Sequence, residues 1–199
     1  MHRRFARCGP LVILAAMLTI APSPVRAQEV GALPMPTFEI SAGYTFLREN
    51  IAPDDHNIDF PVGWYASTAF NFNQGFGLVG EATGSYNSDS YVTIADLKFT
   101  TDRRLYTFMA GPRFSHKAGR LIPYAQVLAG GAYGRESTVS DTRFAFQPGG
   151  GLTMLLTEHL GVRVAGDYRC IIDFVGGEEN DYTNQLRFLA GFSLHWGAR

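Results

Sequence analysis

Ser193 and His195 stand two residues apart, so in an extended chain both side chains leave on the same side. With a carboxylate such as Glu39 beside them they would form a hydroxyl, imidazole and acid set, the groups acyl transfer uses with His as base. A second constellation is purely charged: Glu39, Glu81, Arg113, Arg163, Asp167, Arg169 and Arg187. Each falls on the strand face whose residues are mostly small or polar. Charges that share an enclosed space must meet one another or trapped water, because an unpaired buried charge is expensive. Such a set serves either as an electrostatic plug or as a gate whose ion pairs exchange. Other candidates are weaker. His56 follows Asp54 and Asp55, but adjacent residues in a loop give poor geometry for a cation, and no metal is assigned. Gly149-Gly150-Gly151 is followed by no Lys-Ser/Thr pair, so it is no phosphate loop, and no cofactor is expected.

The elements that carry these residues are strands. From Leu186, every second residue is Leu186, Phe188, Ala190, Phe192, Leu194 and Trp196, separated by Arg187, Leu189, Gly191, Ser193 and His195. A period of two marks a strand with one face in an apolar medium. Seven further segments alternate similarly, at about Phe38–Phe46, Val62–Phe72, Phe76–Tyr86, Leu105–Ser115, Leu121–Tyr133, Phe144–Leu156 and Leu160–Cys170. The fifth is ambiguous in register, with Ile122, Tyr124 and Leu128 competing against Ala125, Val127 and Ala129. Pro112 and Pro148 lie inside proposed strands. Proline lacks the N–H that a ladder needs, so Pro112 is expected near a membrane boundary and Pro148 at a bulge.

The order of connections is more telling than the strands. They run long (about Leu47–Pro61), short (Asn73–Gly75), long (Asn87–Arg104), short (His116–Arg120), medium (Arg135–Arg143), short (Thr157–His159) and long (Val175–Thr183). Short turns on one side and long, acidic connections on the other are the plan of an outer-membrane barrel.

The N-terminus agrees. Arg3, Arg4 and Arg7 precede the uncharged apolar run Leu11–Ala21, then come Pro22, Pro24 and the small-residue site Val25-Arg26-Ala27. This reads as a cleaved secretory signal over residues 1–27, followed by a short leader at 28–36 and a barrel domain at 37–199. The apolar run is too short for a spanning helix, which takes about 20 residues. Four of the 17 Lys/Arg and none of the 18 Asp/Glu lie in residues 1–27, so the remainder carries 13 − 18 = −5. That balance argues against a nucleic-acid partner. Cys170 is the one cysteine after the signal, too few for a cysteine metal site.

Several stretches carry a family likeness: Met109-Ala110-Gly111-Pro112-Arg113-Phe114, Pro123 through Ala132, Gly149-Gly150-Gly151, Leu160-Gly161-Val162-Arg163 to Asp167-Tyr168, and Leu186-Arg187-Phe188 through Phe192. On these the chain resembles the small outer-membrane β-barrels of the OmpA, OmpX and opacity type. The resemblance implies an all-β fold, an eight-stranded antiparallel up-and-down transmembrane β-barrel in the cell outer membrane of a Gram-negative-type bacterium. It implies outer-membrane lipid and the barrel-assembly machinery as partners, but no particular task. Such barrels commonly end on an aromatic residue, whereas here Trp196 is followed by Gly197-Ala198-Arg199.

The resulting expectation is a monomer with no catalytic site. Its lumen is closed by a charge network of Glu39, Glu81, Arg113, Arg163, Asp167 and Arg187, and Phe188, Phe192 and Trp196 face lipid. An unknown extracellular ligand would meet outer loops at Ile51–Pro61, Ser88–Thr101 and Gly176–Asp181. Two alternatives stand beside it. A soluble periplasmic lipocalin-like barrel would turn its aromatic face inward onto an apolar ligand, and a lipid-modifying barrel enzyme would use Ser193 and His195.

Overall fold

The computed structural model describes residues 35–51, 56–73, 75–93, 97–136, 139–172 and 182–198. The expectations for the signal at 1–27, for 28–34 of the leader, for Asp54 and Asp55, and for the loop Gly176–Asp181 concern residues outside these.

Nine strands follow one another: β1 Pro36–Ile51, β2 His56–Phe60, β3 Val62–Asn71, β4 Phe76–Thr93, β5 Leu97–Ser115, β6 Leu121–Glu136, β7 Val139–Leu155, β8 Leu160–Ile172 and β9 Tyr182–Ala198. Consecutive strands pair antiparallel, and β1 also pairs with β9, closing the sheet. Strands β2 and β3 form a single staff of the barrel, since both pair with β1. The register explains the break. Leu47 faces Phe60 and Tyr44 faces Trp64, so Thr45 and Phe46 oppose three residues, Pro61, Val62 and Gly63. That extra residue is a β-bulge at the one proline between them, and the Tyr44 hydroxyl donates to the Pro61 carbonyl there. The closed, eight-staff antiparallel barrel expected from the alternation is therefore what forms.

Two expectations about this sheet need correction. Pro148 does not mark a bulge. The β7–β8 register is unchanged from Phe146↔Cys170 to Gly149↔Asp167, and only the intervening ladder positions are unpaired. Pro112 behaves alike, with β5–β6 pairing interrupted between Ala110↔Ala129 and Arg113↔Gln126. Each proline loses a ladder position on one side and keeps its partner on the other, Val127 for Pro148 and Leu78 for Pro112. Second, the long connections are mostly not loops. Strand β4 runs on to Thr93 and returns from Leu97, and β6 runs to Glu136 and returns from Val139. Strand β1 reaches Ile51 opposite His56. These extensions are hairpins, invisible to the alternation because Ser, Thr and Asp occupy both faces once the strands leave the apolar layer.

The ambiguous strand settles with Ile122, Tyr124, Gln126, Leu128 and Ala132 inside, and with Ala125 and Ala129 outside. In the middle of β6 the large side chains thus fill the interior and the alanines face out. The molecule is inside-out in the usual sense: Phe192 is 64 % exposed, Phe108 65 % and Phe114 61 %, while Arg163, Arg169 and Arg187 are each 0 % exposed. This orientation removes the lipocalin-like alternative, which needs the aromatic face inward.

Closure rests on two strands meeting without side chains between them. Gly43 and Gly191 are register partners across the β1–β9 seam. A Cβ on Gly43 would lie 2.3 Å from the Ala190 carbonyl oxygen, and one on Gly191 2.2 Å from that of Ala42. Gly131, by contrast, has open space around it. Gly191→Val is expected to abolish most of the compact, heat-modifiable form on unheated gels, and Gly131→Val to retain it. Equal folding of the two variants would show that the seam tolerates a side chain.

Candidate functional site

The interior groups lie in two tiers. Nearer the short-turn end, Glu39 of β1 is reached by Arg163 Nη1 of β8 at 2.6 Å and by Arg113 Nη1 of β5 at 3.1 Å. Tyr124 of β6 is clamped between those arginines, their Cζ atoms 4.6 Å (Arg113) and 4.3 Å (Arg163) from the ring centroid. Its hydroxyl accepts from Arg163 Nε at 2.6 Å. Gln126 Oε1 accepts from Arg113 Nε at 3.3 Å, and Ser41 Oγ from Arg163 Nη1 at 3.2 Å while donating to Glu39 at 2.9 Å. One carboxylate thus ties three staves together across the barrel.

Deeper, Arg187 of β9 bridges Asp167 of β8 and Glu81 of β4, the latter at 2.7 Å. Gln147 of β7 donates to Glu81 at 3.2 Å and accepts from Arg169 Nε at 2.8 Å. Arg169 has no carboxylate of its own among these contacts; its Nη1 reaches Gln185 Oε1 at 3.5 Å, and Gln185 passes on to Glu49 Oε2 at 2.8 Å. The fully buried set counts four arginines (113, 163, 169, 187) against three acids (39, 81, 167), or +1. Among the described residues, half-buried Glu49, Arg103 and Arg143 flank this set. Apolar side chains complete the filling, with Met35, Ile122 and Leu155 clustered towards the short-turn mouth.

All six residues expected in the lumen network lie inside, and they divide between the tiers: Glu39, Arg113 and Arg163 in one, Glu81, Asp167 and Arg187 in the other. Tyr124, Gln126, Gln147, Gln185 and Glu49 were not singled out, although inward parity along their strands was a usable signal for the glutamines. Phe188, Phe192 and Trp196 lie outside, 52 %, 64 % and 43 % exposed.

Ser193, His195 and Glu39 do come together. Ser193 Oγ is 2.8 Å from His195 Nε2, and His195 Nδ1 is 3.8 Å from Glu39 Oε2. Their surroundings are wrong for acyl transfer. Ser193 is 0 % exposed, and a Cβ placed on Gly161 would sit 2.8 Å from its Oγ, so the β8 backbone already occupies the approach an ester would need. Glu39 is committed to two guanidiniums. Among the described residues, no group of three His, Cys, Asp or Glu is placed to hold a metal ion.

Known proteins fit this geometry. A family model described as an outer membrane protein beta-barrel domain matches residues 12–195. The chain belongs to that outer-membrane β-barrel family. Its place is accordingly the cell outer membrane, with the short turns on the periplasmic side and the hairpins outside. Among solved structures, it resembles Ail, the attachment invasion locus protein of Yersinia pestis, at 18 % identity and a TM-score of 0.57, covering 81 % of this chain and 100 % of that one. Neisserial surface protein A is similar at 12 % identity and a TM-score of 0.62, over 80 % and 97 %. OprG of Pseudomonas aeruginosa gives 12 % and 0.53, over 84 % and 99 %. At these identities the likeness is one of fold. No curated protein matches the chain.

Removing one partner of a buried ion pair strands the other and costs about 3–5 kcal/mol. Glu39→Gln leaves Arg113 and Arg163 facing each other and is expected to lower barrel stability by about that amount, read as the urea midpoint of detergent-solubilised protein. Replacing Arg163 by Met in the same chain should recover part of the loss. Ser193→Ala should change stability by about 1 kcal/mol or less and leave the lipid profile of expressing cells unaltered; a changed acyl pattern would restore the enzymatic reading.

Proposed function

We propose that the protein is a closed outer-membrane barrel whose packed polar lumen is structural and whose projecting hairpins make contacts outside the cell. The observation that supports this reading is the contrast between its two ends. The interior is cross-braced by Glu39, Glu81, Asp167 and four arginines, leaving nothing to conduct, whereas β4 and β5 continue past the barrel as a hairpin from Asn87↔Arg103 to Thr93↔Leu97. An eight-stranded barrel is just wide enough to be filled by side chains. The base of the first hairpin is held by Arg48, whose Nε lies 2.7 Å from Asp59, and that guanidinium keeps the Asp59 carboxyl below its ordinary range. Asn87 Nδ2 donates to the Asp59 carbonyl at 2.8 Å, tying the second hairpin to the first. The hairpins are therefore presented together.

Ail has been solved in complex with the heparin analogue sucrose octasulfate, which makes sulfated polysaccharide a reasonable first probe here. Charge alone does not favour it, since the first hairpin is acidic and the second balances Asp89, Asp96 and Asp102 against Lys98, Arg103 and Arg104. The N-terminal 27 residues serve as the export signal, and delivery to the membrane runs through the assembly machinery, which would read β9 despite the three residues after Trp196. The protein works as a monomer and catalyses no reaction.

Two measurements test this. Planar bilayers containing the purified barrel should show negligible conductance, unchanged by Asp167→Asn; steps that appear in the variant would favour a gate. Replacing residues 90–100 by Asn-Gly should keep the barrel folded and abolish most attachment of expressing bacteria to host-matrix or heparin-coated surfaces. Full attachment by that variant would remove the second hairpin from the contact.

A further inference from the structure

Among the described residues, every fully buried formal charge of the lumen but one is ion-paired. Glu39 takes Arg113 and Arg163, and Arg187 takes Asp167 and Glu81. Arg169 is the exception. It is 0 % exposed, and its hydrogen bonds go to neutral amides, Nε to Gln147 Oε1 at 2.8 Å and Nη1 to Gln185 Oε1 at 3.5 Å. Its Nη2 has no hydrogen-bond partner. The relay through Gln185 to Glu49 thus engages one part of the guanidinium and leaves another bare. A fully buried cation held only by neutral groups is costly, so a negative charge is wanted beside it.

A second bare donor lies close by, since Arg187 Nη1 is also without a partner. In the β8–β9 ladder Asp167 faces Arg187 and Arg169 faces Gln185. The two arginines are therefore diagonal neighbours on the inner wall, about 7–8 Å apart at the backbone. Arg187 is near enough for its charge to act on Arg169. The bare acceptors of this tier serve neither N–H. Asp167 Oδ1 leans over Gly149 on β7, away from β9, where a Cβ would lie 1.8 Å from it. Glu81 engages Arg187 and Gln147 through Oε1, and its Oε2 bonds to neither arginine. The neighbouring wall is apolar. Leu47 is the register partner of Arg187 across the seam, Ile171 is the next inward residue after Arg169, and both belong to the buried apolar cluster. A polyatomic oxoanion would bring oxygens that find no donors on such a wall. A monatomic anion needs only the two N–H groups, and water could accept from them but carries no charge.

We infer that the lumen holds a halide ion, chloride in ordinary salt, bound between Nη2 of Arg169 and Nη1 of Arg187. With it the fully buried set, +1 from four arginines and three acids, becomes neutral. The ion is a structural ligand, enclosed as the barrel closes and not conducted through it. The inference rests on the closed, charged lumen and not on what the hairpins touch, so a failure of the hairpin experiment would leave it standing.

Anomalous diffraction at the bromine edge, from crystals of the full barrel refolded and grown in sodium bromide, tests this directly and needs no variant. An ordered bromide in contact with both guanidiniums is expected. Density there without anomalous signal is water, and bromide confined to exposed arginines such as Arg48 is an adventitious ion only; either result overturns the inference. In solution, the detergent-solubilised barrel is refolded at constant ionic strength in gluconate, sulfate or chloride. Chloride alone should raise the urea midpoint, and the rise should saturate with concentration. Arg169→Gln should weaken the apparent chloride affinity at least about tenfold, since it removes a charge-assisted hydrogen bond together with its charge. Arg169→Lys should recover part of that loss, and Arg48→Gln, at the outer rim, should keep the full response. Heat-modifiable migration shows that each variant is folded. Equal midpoints in the three anions, or an undiminished chloride response in folded Arg169→Gln, would show that the two N–H groups meet water instead.

Discussion

Everything in this molecule follows from the need to pair every backbone N–H and C=O where water is absent. An open sheet edge at membrane depth would leave a row of unsatisfied groups, so the chain must close on itself. Closure here is the β1–β9 ladder, which runs from Pro36↔Ala198 to Asn50↔Asn184. At its middle the two backbones approach through Gly43 and Gly191, and on the same interior face lie Ser41 opposite Ser193 and Glu39 opposite His195. The residues that look most like catalytic machinery in the sequence are thus seam residues. Their hydrogen bonds run within each strand, Ser41 to Glu39 on β1 and Ser193 with His195 on β9, and the glycine pair lets the strands meet.

Closing eight staves also fixes the interior volume. A wall of lipid-facing Phe, Leu, Val and Trp leaves the interior to whatever occupies the alternate positions, and that interior is too narrow to hold bulk water freely. Charged groups there are stable only as a mutually satisfied set. The two tiers meet this need in different ways. In the lower tier one carboxylate serves two arginines, and the face of the Tyr124 ring attracts both guanidiniums. In the upper tier one arginine serves two carboxylates, and Arg169 hands its charge through Gln185 to Glu49. The glutamines matter because a side-chain amide accepts at its oxygen and donates at its nitrogen, so a single Gln147 can join Arg169 to Glu81.

How far this could be read from sequence divides along physical lines. Within the apolar layer the two faces of a strand meet different media, so alternation is imposed; β9 and the eight-staff count were plain for that reason. Above the layer both faces meet water, the pattern dissolves, and Asn87–Thr93 and Leu97–Arg104 read as loops although they pair as strands. Pro61 illustrates a different limit. It ends an apparent loop in the sequence, yet its real effect is a one-residue bulge that depends on the count of residues in β1 across from it, which no local signal carries. Pro112 and Pro148 misled in the opposite sense, because a lost ladder position in a closed sheet can be absorbed without a change of register. For the interior, parity identified which charges share the lumen, but their partners depend on which staves face each other across it. Glu39 is 74 positions from Arg113 and 124 from Arg163, and only closure brings them within hydrogen-bonding distance.

The same separation of media bears on what a barrel of this family can evolve. Lumen residues are locked to partners on three or four strands, so a change there must be compensated elsewhere. Outward residues in the apolar layer need only remain greasy. Freedom is greatest beyond the two belts, where side chains meet headgroups or solvent and the backbone ladder alone maintains the hairpins. Family membership therefore fixes the closed barrel and says little about its rim. At that rim this chain carries the Arg48–Asp59 brace and a second hairpin that outruns its neighbours on β6 and β7.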